Sequence, residues 1–186
     1  MTSKCKFCKK PATSKFGLNY FCDTECAYKQ VRANQIKKID KEASDRRKRD
    51  REKLRQLKSR SEWLKELQVI FNRFIRLRDA GLPCISCGHP DDGSRQRHAS
   101  HYKSVGGNPA LRFDPNNCHS SCSICNNWLS GNLVPYRVAL IAKVGQAEVD
   151  RLEGKQEALK LTIPEIQGLI VEYKAKVKAF TGQSSV

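Results

Sequence analysis

Eight of the nine cysteines fall into four close pairs, and this spacing constrains the fold more than any other feature of the sequence. The pairs read Cys5-x2-Cys8, Cys22-x3-Cys26, Cys84-x2-Cys87 and Cys122-x2-Cys125. Two such pairs can supply the four thiolates of a tetrahedral structural Zn²⁺ site. The sequence therefore predicts two zinc sites, one from the first two pairs and one from the last two.

Disulfide bonds are the alternative use of these cysteines. The N-terminal sequence MTSKCKFCKK lacks the apolar segment of a signal peptide. No apolar run approaches the roughly 20 residues that cross a bilayer. We therefore expect a cytoplasmic protein without a membrane partner, and close Cys pairs in a reducing compartment favour metal over disulfides. Cys118 is left outside the pairs.

The charge of the chain indicates a polyanionic partner. Lys and Arg number 35 against 19 Asp and Glu, which gives a net charge of +16. Nucleic acid is the usual partner of such a protein, although a solvated basic surface is the alternative. Residues 29–60 lack Pro and Gly and predict a long helix that is polar on almost every side. It either contacts DNA phosphates, with a basic run at Arg46, Arg47, Lys48 and Arg49, or is a solvated linker.

The predicted fold class is α+β and mostly helical, with a small zinc-stapled ββα module between helices. Ser59 and Glu62 have capping-box spacing, and the helix that follows carries an apolar stripe expected to pack on the zinc module. The last residues, TGQSSV, are expected to fray. Four segments are predicted: an N-terminal zinc knuckle (1–28), a basic helical arm (29–60), a core with packing helices (61–154) and a C-terminal helix (155–186).

The segment between the last two Cys pairs is predicted to form the ββα module. Residues 97–103 alternate as a strand would, and 111–113 is predicted to be the second strand. A short helix carrying Asn126 should follow Cys125 and stop at Gly131. The zinc would then lie at the base of the module.

Polar side chains with ligand-capable atoms are concentrated in this segment; they are His98, His101, Asn117, His119 and Asn126. Such groups inside a zinc frame suggest a second, chemical site. The alternative is a purely structural finger in which His98 or His101 binds zinc, with Cys118 or His119 competing, and the asparagines cap turns and helices.

The order His101, Asn117 and Cys122-Ser-Ile-Cys125-Asn126 resembles the HNH nuclease superfamily in its Cys-stapled form. The N-terminal knuckle, the basic helix, HASHY, LRFDPNNCHSSCSICN and the helical tail together resemble the NinG family of lambdoid phages, also called Rap. The resemblance implies a structure-specific endonuclease that cleaves Holliday junctions and D-loops.

The resemblance also implies residue roles. His101 would be the general base, and Asn117 would orient His101 or tie the ββ loop to the helix. Asn126 would offer its carbonyl oxygen to a catalytic Mg²⁺ or Mn²⁺. Ser100 stands where many HNH proteins have an aspartate ligand, so His98 or His119 would have to replace that ligand.

DNA is the expected partner, and the phosphate contacts nearest the site are predicted at Arg95, Arg97, Lys103 and Arg112. Two symmetric cuts at a junction require two active sites, so a homodimer is expected. Phage or host recombination proteins are further possible partners, and the host cytoplasm is the expected location. The alternatives are a non-catalytic zinc-finger recombination mediator and a structural zinc protein that recruits a partner.

Overall fold

The computed structural model describes residues 3–157 and 160–182. The chain divides into two compact units, Met1–Lys58 and Ser59–Val186. Most of the tail predicted to fray, residues 183–186, lies outside the described residues. Within the described ranges, no helix combines the length and the apolar character needed to cross a membrane.

The first unit begins with a β-hairpin. Strands β1 (Ser14–Phe16) and β2 (Asn19–Phe21) are antiparallel, with Ser14 opposite Phe21 and Phe16 opposite Asn19. Gly17 has a φ of +58° in the two-residue turn, a backbone conformation that glycine adopts without strain.

Helix α1 (Thr24–Gln56) is a single uninterrupted helix. Its N-cap is Asp23, whose Oδ1 accepts a hydrogen bond from the backbone N–H of Cys26 at 2.6 Å. The helix therefore begins five residues before the predicted arm, which starts at residue 29. It buries none of its residues, and Arg46–Arg49 are all exposed, as a polar arm requires.

The second unit is built on two packed helices, α2 (Arg60–Arg78) and α5 (Ile163–Gly182). The predicted capping box is confirmed: Ser59 and Glu62 exchange side-chain-to-backbone hydrogen bonds. Tyr173 of α5 contacts two rings of α2, with centroids 5.1 Å from Phe71 and 5.3 Å from Phe74. The apolar stripe predicted for α2 is therefore the core.

A two-stranded antiparallel sheet lies against this helix pair. Strand β3 (Arg97–His101) pairs with β4 (Cys118–Cys122), and His101 stands opposite Cys118. On one face, Ala99 and Cys118 pack against the α2–α5 core. On the other face, His119 lies beside Tyr136 of α3 (Leu133–Val144). Strand β4 is consequently buried along its whole length.

The predicted second strand at 111–113 is wrong. The chain there forms a 3₁₀ turn, Pro109–Leu111, and a second 3₁₀ turn covers Pro115–Asn117. Proline cannot donate to a strand ladder and favours the start of a helical turn. The partner of β3 is instead CHSSC at 118–122, which has little of the β-branched and aromatic content that marks a strand in sequence.

The short helix predicted after Cys125 is a five-residue π-helical turn, Ile124–Trp128. Gly131 ends this region with a φ of +93°, and its N–H donates to the carbonyl of Cys125 at 2.8 Å. Helices α3 and α4 (Gln146–Glu153) then form a second apolar cluster with the loop before β4. The buried members of this cluster are Tyr102, Leu111, Tyr136, Leu140, Val149 and Leu152.

Asp79, at the end of α2, joins three elements of the second unit. Its buried carboxylate accepts hydrogen bonds from Arg78, from Lys143 of α3 and from the backbone N–H of Ser120 in β4. Burial alone would raise the pKa of Asp79, but these donors lower it to about 2. The charged carboxylate therefore fixes the sheet against both helices, and no sequence pattern indicated this.

Candidate functional site

The four cysteines of the first predicted zinc site come together in the structure. One ligand atom from each of Cys5, Cys8, Cys22 and Cys26 lies within 4.8 Å of the others. The Sγ of Cys22 is 3.2 Å from that of Cys8 and 3.4 Å from that of Cys26. A tetrahedral zinc with Zn–S bonds of about 2.3 Å requires sulfur atoms about 3.8 Å apart. The cluster therefore fits zinc after small shifts.

The second site brings together Cys84, Cys87, Cys122 and Cys125 within the same limit of 4.8 Å. The Sγ atoms of Cys87 and Cys122 are 3.8 Å apart, as a ZnS₄ site requires. Burial opposes ionisation of Cys122, but the backbone N–H of Cys125 and nearby side chains lower its pKa to about 6. One of these side chains is Arg95, predicted as a DNA contact, whose Nη1 lies 4.0 Å from the Cys122 sulfur.

The two knuckles share one backbone turn. In the first, the N–H of Cys5 donates to the carbonyl of Lys10 and the N–H of Lys9 to the carbonyl of Cys5. In the second, Cys84, Gly88 and His89 repeat this pattern. The turn places Lys9 at a φ of +66° and Gly88 at +71°.

Asn117 ties parts of the loop between the strands to each other, whereas the sequence predicted that it would orient His101 or tie that loop to the helix. Its Oδ1 accepts from the N–H of Lys103 at 2.8 Å, and its Nδ2 donates to the carbonyls of Lys103 and Leu111. The side chain is fully buried. These partners are all backbone groups, so Asn117 positions the loop that follows His101.

His101 is held by contacts on several sides. Its ring stacks on Phe71 with centroids 6.1 Å apart. Nε2 lies 2.9 Å from the carbonyl oxygen of Arg112 and donates to it, so Nδ1 carries the lone pair. Nδ1 is 3.8 Å from the Cys118 sulfur. Burial lowers the pKa of His101 against the opposing effect of the Arg112 carbonyl, which keeps the imidazole neutral at pH 7.

His119 and Ser100 are enclosed in the fold. His119 is 1% exposed, its Nδ1 lies 3.3 Å from the hydroxyl of Tyr136, and Ser100 is 2% exposed. Burial and the charges of Lys143 and Arg78 lower the pKa of His119 to about 3. The suggestion that His119 binds a catalytic metal is corrected on this ground, because solvent and substrate do not reach the ring.

His98 and Asn126 meet in a cavity of about 470 Å³ between α2, β3 and the π-helical turn. The Nδ2 of Asn126 lies 3.2 Å from Nδ1 of His98. The residues lining this cavity are Asn72, Arg76, Gln96, Arg97, His98, Ala99 and Asn126. His101 lines a different cavity, of about 300 Å³, together with Lys103, Ser130 and Leu133.

Alternation along β3 explains this separation. His98 and His101 are three positions apart in one strand, so their side chains leave on opposite faces. Their Cα atoms are separated by about 10 Å at the usual rise per strand residue. Strand β3 pairs only with β4 in its sheet, so its other edge carries no strand partner.

Two of the predicted DNA contacts have structural partners. Arg97 donates through Nε to Asp91 at 2.9 Å and through Nη2 to the carbonyl of His89, and its side chain is 11% exposed. Its assignment as a surface phosphate contact is therefore corrected. Arg112 donates to the Oε1 of Gln68 at 2.7 Å and lies over the ring of Phe113.

Sequence inspection missed the contribution of α2 to the His98 cavity. Asn72 and Arg76 are one helical turn apart and therefore share one side of α2. The sequence carried one indication of this role, because both residues lie beside the apolar stripe of a helix that was predicted. Their distance from His98 along the chain concealed the contact.

The His98 cavity does not fit a resident Mg²⁺ or Mn²⁺. His98 offers a nitrogen and Asn126 an amide oxygen, both uncharged, and none of the described residues lining the cavity is acidic. Mg²⁺ in proteins is usually held by one or two carboxylates together with phosphates and water. The cavity supplies two guanidinium groups instead.

Comparison with known proteins decides the family. The family model described as "Bacteriophage Lambda NinG protein" matches residues 1–182. Protein ninG of Escherichia phage 933W is 38% identical over 187 residues, covering 94% of this chain and 92% of that protein. Protein ninG of Escherichia phage lambda is 46% identical over 131 residues, covering 69% and 63% respectively.

The chain belongs to the NinG family. The match includes both four-Cys clusters, α1 and the sheet, so the resemblance to NinG inferred from the motifs is confirmed across both units. No solved structure matches the chain.

Proposed function

We propose that this NinG-family protein is a structure-specific DNA endonuclease that cleaves branched recombination intermediates, namely Holliday junctions and D-loops. The reaction is metal-dependent hydrolysis of a phosphodiester bond. One observation carries the proposal: the sheet beside the second four-Cys cluster holds His101, whose pKa is lowered by burial, and the His98–Asn126 pair along one strand and the turn beside it. The net charge of +16 agrees with a polyanionic substrate such as DNA.

In this proposal His101 is the general base. Nε2 is occupied by the Arg112 carbonyl, so Nδ1 is the atom that accepts a proton from water. The hydroxide then attacks phosphorus, and the bond from phosphorus to one deoxyribose oxygen breaks. A neutral imidazole is required for this step, and burial of His101 favours it.

The remaining residues bind and orient. Asn117 fixes the backbone of Lys103, two residues after His101, and His98 with Asn126 contacts the substrate phosphate. A divalent cation brought by the DNA would supply neutralisation of the charge on that phosphate. The zinc sites stabilise the fold and take no part in the reaction.

The exposed cations of α1, including Arg46–Arg49, contribute phosphate contacts. Binding to DNA should therefore weaken steeply as salt rises. We also propose a homodimer, because resolving a junction requires two symmetric cuts.

The test is a labelled four-way junction incubated with zinc-loaded protein, with and without added Mg²⁺ or Mn²⁺. His101→Ala should reduce the cleavage rate by about 100-fold or more, the usual loss for a general base, while junction binding is retained. His89→Ala is the matched control, because His89 lies in the Cys84–Cys87 knuckle turn and should cleave as the wild type does. Normal cleavage by His101→Ala would remove His101 as the base.

A second function is favoured by one observation, the exposed basic surface of α1. A non-catalytic zinc-finger recombination mediator would bind the junction through this helix and never cut it. Binding without cleavage in either metal is therefore the outcome that replaces the endonuclease with the mediator.

A further inference from the structure

The π-helical turn carries an exposed tryptophan. Trp128 is 82% exposed, which is more than any other aromatic residue in the described part of the chain. Trp63, the second tryptophan of the sequence, is 2% exposed and lies in the α2–α5 core. A single apolar side chain on a protein surface is common and means little by itself. The significance of Trp128 therefore depends on what surrounds it.

Trp128 lies between the two cavities of the candidate site. Asn126, two residues before it, lines the cavity that contains His98. Ser130, two residues after it, lines the cavity that contains His101. Consecutive Cα atoms are about 3.8 Å apart, so the Cα of Trp128 is within about 8 Å of both. Nucleotides along one strand of duplex DNA rise by about 3.4 Å each. A base within two nucleotides of a phosphate held at either cavity therefore comes within reach of the indole.

The surrounding contacts fix this turn in one conformation. Cys125, within the turn, belongs to the second four-Cys cluster, and its carbonyl accepts a hydrogen bond from the N–H of Gly131 at 2.8 Å. Nδ2 of Asn132 donates to the Cys125 sulfur at 3.7 Å. Ser130 and Asn132 have φ of +47° and +51°, a conformation that non-glycine residues keep only where neighbouring contacts impose it. A ring that is fixed before binding loses little conformational entropy when a ligand stacks on it.

We propose that Trp128 stacks on an unpaired nucleobase at the branch point of the DNA, and that this contact distinguishes branched from fully paired DNA. The inference rests on the proposed function in taking branched DNA as the substrate. An indole stacks on the π-face of any base, so the contact requires no particular sequence. In a continuous duplex a base must first leave its stack and its partner, which costs free energy. At a branch point, or in the displaced strand of a D-loop, much of this cost is already absent.

Charge favours a nucleobase over an apolar protein partner at this position. Exposed Leu129 and Leu133 continue the apolar surface beside Trp128, as a protein contact would require. However, exposed Arg76 lines one adjacent cavity and partly exposed Lys103 lines the other, and none of the described residues lining either cavity is acidic. An aromatic ring between cationic side chains is the arrangement by which proteins bind single-stranded nucleic acid.

Intrinsic fluorescence tests the stacking, because Trp128 is the accessible one of the two tryptophans. The full-length, zinc-loaded protein is titrated with a short oligothymidylate and with an abasic oligonucleotide of the same length and charge. The oligothymidylate should quench the emission and protect it from acrylamide, and the abasic strand should do neither at equal occupancy. Trp128→Ala should weaken oligothymidylate binding about fivefold or more, the loss expected for one stacked base. It should bind the abasic strand as the wild type does, and Trp128→Phe should restore part of the lost affinity.

Leu129→Ala is the matched control. Leu129 is adjacent to Trp128, 52% exposed and apolar, but it has no ring on which a base can stack. It should bind the oligothymidylate as the wild type does. Equal weakening by Leu129→Ala and Trp128→Ala would overturn stacking in favour of general apolar contact. If both strands bind and neither changes the emission, the nucleobase is the wrong occupant and the apolar surface around Trp128 is left to a protein partner.

The second half of the proposal is tested by binding to a D-loop and to a duplex of the same sequence, without divalent metal so that neither is cut. Trp128→Ala should lower the preference for the D-loop about fivefold and leave duplex affinity unchanged. An equal loss on both substrates would overturn the selective role. These results are independent of cleavage. A protein that never cuts but loses its preference in Trp128→Ala refutes the nuclease and keeps the stacking; one that cuts junctions but shows no quenching refutes the stacking alone.

Discussion

The two zinc knuckles have the same turn and ligands, but they lie in different surroundings. Around the first, Cys5 and Phe21 are the buried apolar residues among the described part of its unit. Around the second, three of the four cysteines are buried, and β4 connects them to two apolar clusters. The comparison teaches that one local zinc-binding geometry can replace a core in one unit and anchor a core in the other.

The largest expected effect is the loss of a zinc ligand. Cys122→Ser should unfold Ser59–Val186, because structural zinc contributes on the order of 10 kcal/mol in small domains. Cys22→Ser should instead remove one zinc and leave the melting of Ser59–Val186 unchanged. Zinc content and thermal melting by circular dichroism measure both. His101→Ala should keep both zinc ions and the wild-type melting curve. Equal losses of zinc and of thermal stability in Cys122→Ser and His101→Ala would mean that His101 is a structural residue, as the zinc ligands are.

Asp79→Asn tests how much the buried carboxylate that bonds β4 contributes to the free energy of unfolding. The change leaves Arg78 and Lys143 without their buried carboxylate and should cost about 3 kcal/mol of the free energy of unfolding. Asp40→Asn, on the exposed surface of α1, should cost nothing measurable. Urea denaturation measures both variants, and a neutral Asp79→Asn would show that β4 does not depend on this network.

The same carboxylate predicts a pH dependence. Its pKa of about 2 in the folded state lies below the value of about 4 of an unfolded aspartate. The charged form therefore stabilises the fold above about pH 4, and this contribution is lost as the pH falls from about 4 to about 2. Acid titration of the wild type and of Asp79→Asn measures it, and identical acid transitions would contradict the assignment.

Asn117→Ala should have a smaller effect. It leaves backbone groups of Lys103 and Leu111 without their buried partner, which should cost about 2 kcal/mol. Asn116→Ala changes an exposed neighbour that bonds Glu148 and should stay within about 0.5 kcal/mol of the wild type. Denaturant unfolding compares the two, and equal costs would remove the special role of Asn117.

The smallest effects concern the shared turn. Lys9→Gly should stabilise the first knuckle by about 1 kcal/mol, because glycine adopts positive φ without strain. Gly88→Lys should destabilise the second by about 1 kcal/mol for the same reason. Competition with a zinc chelator measures the zinc affinity of each site. The reverse pattern, with weaker zinc binding in Lys9→Gly and stronger zinc binding in Gly88→Lys, would mean that side-chain charge, rather than backbone conformation, controls the turn.

Local pattern predicted much of this molecule. The eight zinc ligands, the continuous α1, the capping box at Ser59 and the core stripe of α2 were all specified by spacing within a few turns of chain. Ligand spacing and helical periodicity are local properties, so a single sequence reveals them.

Contacts between distant residues decided the rest. Strand β4 is a strand because β3 pairs with it and helices cover both faces, and its own residues favour no such state. The same packing buries His119, separates His101 from His98 and brings Asn72 and Arg76 of α2 to the His98–Asn126 pair. The sequence determined which residues carry chemistry; burial and strand register, which depend on the whole unit, determined which of them face one another.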